Sequence, residues 1–234
     1  MDALAEIIKA KERSLTTIDL SQHDLITVPA ELFQLKHLRE LDLRNNQITQ
    51  LPPEIGQLKS LEVLLLAENQ IVTLPSEIAL LTSLVELDLG SNRITGLPPE
   101  FIHLEELTEL NLGINKLATI PLEILELYNL QWLDLCGNGI PDLPPELTQL
   151  MGLQVLNLAG NYLTVLPPEI VELVGLCVLD LRDNEITSLP PLLAKLANLQ
   201  VLLLEGNPLV DPPLEIANQG VAAIRKYFRD LVNK

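Results

Sequence analysis

The chain has 234 residues and a formal charge of −17, with 47% apolar residues but only 3% aromatics. That charge disfavours nucleic acid and anionic membrane surfaces as partners and suits a basic or mixed-charge protein surface; no run of about eighteen apolar residues is present to span a membrane. Cys136 and Cys177 make no disulfide framework, and MDALAEIIKAKERS lacks the basic, apolar and small-residue regions of a secretory signal, so the sequence predicts a cytoplasmic protein.

In chain order, residues 2 to 13 read as a short helix, with Leu4, Ile7 and Ile8 available to cover the adjoining core. Residues 1–14 are thus an expected N-terminal helical cap. From residue 15 the chain repeats every 23 residues without insertion or deletion. A consensus leucine falls at Leu15, Leu38, Leu61, Leu84, Leu107, Leu130, Leu153, Leu176 and Leu199. Eight residues after each stands His23 and then asparagine, at Asn46, Asn69, Asn92, Asn115, Asn138, Asn161, Asn184 and Asn207. A proline recurs in the second half, from Pro29 and Pro52 to Pro213.

Each position has a physical task. In LxxLxLxxNxI the apolar spacing changes from three to two, which marks a short strand with its leucines on one face. The strands should centre near residues 18, 41, 64, 87, 110, 133, 156, 179 and 202. The asparagine amide can pair with main-chain groups that the turn leaves open, so a buried ladder is expected. Proline then fixes φ and starts a helical or 3₁₀ turn. There Ile55, Ile78, Phe101, Ile124 and Leu147 should close the core with Leu58, Leu81, Leu104, Leu127 and Leu150. A terminal repeat would expose its leucines, so both ends need caps. The register fails after Ile216, where Gln219 replaces the expected leucine. The array is therefore read as residues 15–216 and a C-terminal helical cap as 217–234. In the cap Val221, Ile224, Phe228 and Leu231 form an amphipathic stripe.

Units such as LRELDLRNNQITQLPPEIGQLKS resemble the intracellular leucine-rich-repeat family with an LPxEI half. The resemblance covers nearly the whole chain and implies an α/β solenoid: a horseshoe whose concave side is a parallel sheet of about nine strands. The tail GNPLVDPPLEIANQGVAAIRKYFRDL resembles the segment that ends the repeats of bacterial Roco-type proteins, before their Ras-like GTPase domain. No G-x-x-x-x-G-K-[ST] phosphate loop occurs in the chain. Any GTPase would lie outside it.

No catalytic constellation is evident. His23, His37 and His103 have no metal-ligand neighbours at useful spacing, and isolated histidines are usually structural or solvated. Asp19, Ser21 and His23 look triad-like, but His23 should turn inward at the ladder. Cys136 and Cys177 fall on the expected concave strands about 10 Å apart, too far for a disulfide. No enzyme, cofactor or metal is expected.

What remains is the concave face. The residue between the two strand leucines is Asp19, Asp42, Leu65, Asp88, Asn111, Asp134, Asn157, Asp180 and Leu203. The row before it is Thr17, Glu40, Val63, Glu86, Glu109, Trp132, Val155, Val178 and Val201. The first half of this face is largely acidic, with Asp42, Glu86, Asp88 and Glu109 relieved by Arg39 and Arg44. The second half offers four consecutive apolar residues, Trp132, Val155, Val178 and Val201, beside Asp134. Exposed apolar patches mark interaction surfaces, and tryptophan is enriched at binding hot spots. These residues are the candidate partner-binding site. The expected function is non-enzymatic protein binding on the concave face. The alternative is the repeat domain of a larger Roco-type GTPase, docking on that protein's own domains. Neither the partner nor the oligomeric state is legible.

Overall fold

The computed structural model describes residues 3–232. Within them the chain forms two compact units, one of residues up to 116 with 121–129, the other of 117–120 with 130 onward. The first holds helix α1 (Ala3–Glu12) and strands β1 (Thr17–Asp19), β2 (Glu40–Asp42), β3 (Val63–Leu65), β4 (Glu86–Asp88) and β5 (Glu109–Asn111). The second holds β6 (Trp132–Asp134), β7 (Val155–Asn157), β8 (Val178–Asp180), β9 (Val201–Leu203) and helices α2 (Leu214–Ala217) and α3 (Val221–Val232). Within each unit the strands pair in parallel and follow chain order, centred as the repeat predicts. The pairing register steps by one repeat, with Leu41 opposite Leu64 in the first unit and Leu133 opposite Leu156 in the second.

The pattern of each repeat explains its path. Strand leucines such as Leu41 and Leu43 point inward and are fully buried with Ile48, Ile55, Leu58 and Leu61. Truncating any of them to alanine should cost roughly 2–5 kcal/mol. After Pro52 (φ −74°) the chain enters a 3₁₀ turn over Pro53–Gln57. There the Ile55 N–H donates to the Pro52 carbonyl at 3.0 Å, and the Leu58 N–H to that of Ile55 at 3.1 Å. The same turn recurs from Ala30–Gln34 to Pro191–Lys195. In the last repeat it is replaced by α2.

The asparagine ladder is present. Asn92 Nδ2 donates to the carbonyls of Leu66, Leu89 and Gly90 at 3.0, 3.0 and 3.1 Å, while its Oδ1 accepts the Ile71 N–H at 3.0 Å. One side chain thus closes its own turn and ties it to the preceding repeat. Of the asparagines expected to be buried, Asn115 is only half-buried, although its bonds are the same. His23 opens the row with no repeat before it: Nδ1 meets the Ser21 carbonyl at 2.6 Å and Nε2 is buried without a partner.

The residue just before each asparagine has positive φ, as at Asn45 (55°), Ser91 (53°) and Ile114 (54°). Gly137, Gly160 and Gly206 suit this left-handed backbone, whereas a β-branched side chain is strained there.

Both caps differ in detail from the expectation. Helix α1 buries Ala3, Ile7 and Ala10, a stripe at i, i+4, i+7, while Leu4 and Ile8 are largely exposed. The small alanines let the helix approach closely and set its rotation. In α3, Ile224 and Phe228 are buried, but Leu231 is exposed and Val221 only half-buried. The guanidinium of Arg225, a residue outside the apolar stripe, covers the end of the last 3₁₀ turn. It donates to the carbonyls of Leu196, Ala197 (3.2 Å) and Leu199 (3.1 Å).

Candidate partner-binding face

Strand alternation places Trp132, Val155, Val178 and Val201 on the face opposite the leucines, side by side in register. The first three are half-buried and Val201 is 39% exposed. The next outward row is Asp134, Asn157, Asp180 and Leu203. Its polar members are already engaged. Asp134 accepts the Cys136 N–H at 2.8 Å and the Asn157 amide at 2.7 Å. Asp180, only 6% exposed, takes the backbone N–H and guanidinium of Arg182. The polar row therefore meets its own needs, and the apolar row beside it is partly open on the same face.

In the first unit the acidic residues named from the sequence lie on or beside β2, β4 and β5, with one difference from expectation. Asp42 was expected to face solvent but is 8% exposed, because Arg44 lies over it. Arg44 Nε sits 3.1 Å from both carboxylate oxygens, and Nη2 is 2.6 Å from Oδ2. Charge neutralisation at this distance repays the lost hydration, so the pair behaves as one covered group; the hydrogen bond to Asp42 holds the Arg44 pKa above its usual range. The signal was legible in Asp-Leu-Arg: residues i and i+2 of a strand share a face. It was missed in both repeats that carry it, at Asp42–Arg44 and Asp180–Arg182.

Glu86, Asp88 and Glu109 lack such a cover. Burial pushes the Asp88 carboxyl up, against the pull of the Gly90 N–H, Arg44 and Asn111. Burial also raises Glu86, with Glu109, Asp88 and Glu40 adding repulsion. Asp19 moves the other way, lowered by its bonds to Ser21. Farther out, Arg39 bonds Glu62 at 2.6 Å.

The cysteines lie just outside the strands, Cys136 after β6 and Cys177 before β8, both half-buried and neither in a disulfide. His37 and His103 are exposed. Among the described residues no group of His, Cys, Asp and Glu side chains could hold a metal, and no helix is long and apolar enough to cross a membrane.

Three family models match this pattern: one described as a leucine-rich repeat region over residues 13–116, and two as leucine-rich repeats over 129–150 and 151–209. The chain is a leucine-rich-repeat protein. Among solved structures, this repeat array is similar to the leucine-rich-repeat ectodomain of the Arabidopsis thaliana membrane receptor kinase GASSHO1/SCHENGEN3, in complex with CASPARIAN STRIP INTEGRITY FACTOR 2. Identity is 32% and the TM-score 0.70, over 80% of this chain and 26% of that one. It is also similar to the plant peptide hormone receptor RGFR1 in complex with RGF2, at 32% identity and TM-score 0.60, over 74% of this chain and 33% of that one. A leucine-rich-repeat protein of Leptospira interrogans matches at 25% identity and TM-score 0.45, over 91% of this chain and 96% of that one. The leucine-rich-repeat chain thus spans about a quarter to a third of the plant chains. No curated protein matches it.

Proposed function

We propose that this leucine-rich-repeat protein is a non-enzymatic interaction module that binds a protein partner through Trp132, Val155, Val178 and Val201. One observation carries the reading: four apolar side chains stand in register on the outer sheet face, beside a polar row already satisfied within the chain. A rigid sheet presents such a row with little ordering cost, which lowers what association must overcome. The two plant receptors with bound ligands support the same use of the fold. The uncovered carboxylates of Glu86, Asp88 and Glu109 add a preference for basic or mixed-charge partners.

The test is a pull-down from the source cell with wild type and Trp132→Ala, followed by titration of the recovered partner. Trp132→Ala should weaken binding by about 2 kcal/mol or more and leave the melting temperature nearly unchanged. A large loss of stability would place Trp132 in the core. Unchanged binding and stability would reduce the row to strand-forming valines beside an incidental tryptophan. Binding through the carboxylates alone would weaken steeply with salt and ignore Trp132.

The likeness of the tail to Roco-type proteins, and the groove of Ile216, Ala223, Tyr227 and Leu231 between α2 and α3, support a second reading. In it the array belongs to a larger regulatory GTPase and docks on that protein's own domains. A phosphate-loop motif encoded downstream of Lys234 would support it, and a stop codon there would sink it.

A further inference from the structure

We propose that the occupant of the apolar row is an extended, uncharged peptide segment of another protein, with apolar side chains at every second residue. This rests on the reading above and names the partner's local chemistry.

Charge selects a neutral occupant. Immediately beside the apolar row runs a second one, Gln131, Gln154, Cys177 and Gln200, so the two rows carry no charge across four strands. In the first unit the matching positions include Arg39, Glu40, Glu62, Glu86 and Glu109. A chain of charge −17 keeps this strip neutral, and the flanking carboxylates of Asp134 and Asp180 are occupied by Asn157 and Arg182. A charged segment laid here would lose hydration and find no counter-charge. A neutral one would not.

Shape selects an extended one. The apolar row is one side chain wide. A helix presents a stripe at least about 100° wide, which would press its apolar flanks onto polar rows on both sides. An extended chain presents single-file side chains. Strands lie about 4.8 Å apart, so Trp132 to Val201 spans about 14 Å; residues i, i+2 and i+4 of an extended chain span about 13 Å. Three alternate apolar side chains therefore fit the row.

Hydrogen bonding favours the same geometry. An extended segment has open backbone N–H and C=O groups, whereas a helix has spent its own. Gln131, Gln154 and Gln200 are exposed beside the row, each with amide donors and an acceptor. Gln154 Nε2 reaches Gln131 Oε1 only at 3.5 Å, beyond the usual range, so these amides keep their capacity. They are placed to pair with a peptide backbone. The narrower Cys177 leaves room at the third strand.

The test is selection from a phage-displayed random nonapeptide library on the full chain. Enriched sequences should carry apolar residues at i, i+2 and i+4 and no charged residue between them. Synthetic copies should lose at least tenfold in affinity with Trp132→Ala and about fivefold with Gln154→Ala, at unchanged melting temperature. Backbone N-methylation between the apolar residues should weaken them similarly. Enrichment of helix-spaced or Lys/Arg-rich sequences that still depend on Trp132 would overturn the extended neutral occupant and leave the interaction site standing. Failure to enrich any Trp132-dependent sequence would overturn both.

Discussion

Arg182 lies along the sheet with Nη2 2.5 Å from Asp180 Oδ2 and Nε 3.0 Å from both carboxylate oxygens, sealing an aspartate that is otherwise shut off from water. Arg182→Ala would uncover that carboxylate and leave it with the residue-182 N–H but without its counter-charge. The guanidinium is half-exposed, so the loss is expected to be measurable but well below the cost of breaking a fully buried pair. Asp180→Asn in the Arg182→Ala background should recover part of it, since asparagine still accepts the residue-182 N–H. Denaturant melts of the single and double variants check this, and an unchanged single variant would show that the pair is decorative.

Asn92→Leu keeps the branched side-chain shape but leaves the Ile71 N–H without a partner and takes one hydrogen bond from each of the Leu66, Leu89 and Gly90 carbonyls, which keep only the Asn69, Asn115 and Glu68 donors. A destabilisation of about 1–3 kcal/mol is expected. Asn115→Leu, at a half-buried position, should cost less because water reaches the vacated groups. A melt in which both variants match wild type would refute the ladder's energetic role.

The pH dependence of Asp88 has a definite sign. Burial holds its folded carboxyl above the unfolded value, so ionised Asp88 subtracts stability at neutral pH. That penalty is relieved as pH falls through the folded pKa toward the unfolded one. Asp88→Asn keeps the acceptor for the Gly90 N–H, as Asn111 does for Gly113 in the next repeat. It should raise stability at pH 7 by about 0.5 kcal/mol after allowance for solvent screening, with the gain vanishing near pH 4. A gain constant across that range would point to packing, not charge.

Ile114 combines a left-handed backbone (φ 54°) with 59% exposure, so it has strain and little burial to offset it. Ile114→Asn, the residue found at the matching Asn45, should raise stability by about 1 kcal/mol, or roughly 2–4 °C in melting temperature. A lower melting temperature would mean that the isoleucine side chain packs more than its exposure suggests.

Much of the candidate site was legible because the strand period is two. Once the leucines define the inner face, Trp132, Val155, Val178 and Val201 must share the other. What the period does not carry is how neighbours on that face pair. Asp42 and Asp180 read as solvent-facing carboxylates, yet each is covered by the arginine two residues on. Both helical caps form as expected, but their buried faces differ for a related reason. An amphipathic stripe tells which residues are apolar, but α1 rotated to bury Ala3, Ile7 and Ala10 instead of Leu4 and Ile8.

Repetition made the sequence sufficient for the backbone. Every repeat solves the same local problem, with leucines for the core, asparagine for the turn and proline for the 3₁₀ segment, and stacking adds only nearest-neighbour contacts. Strand positions, register and the ladder therefore follow from residue spacing. The tertiary structure decided what depends on side chains reaching across repeats or across an end. Asn157 meets Asp134 one strand away, and Arg225 crosses from α3 to the carbonyls of Leu196, Ala197 and Leu199. Those contacts depend on rotamers and on the angle at which a cap docks, and a 23-residue period encodes neither.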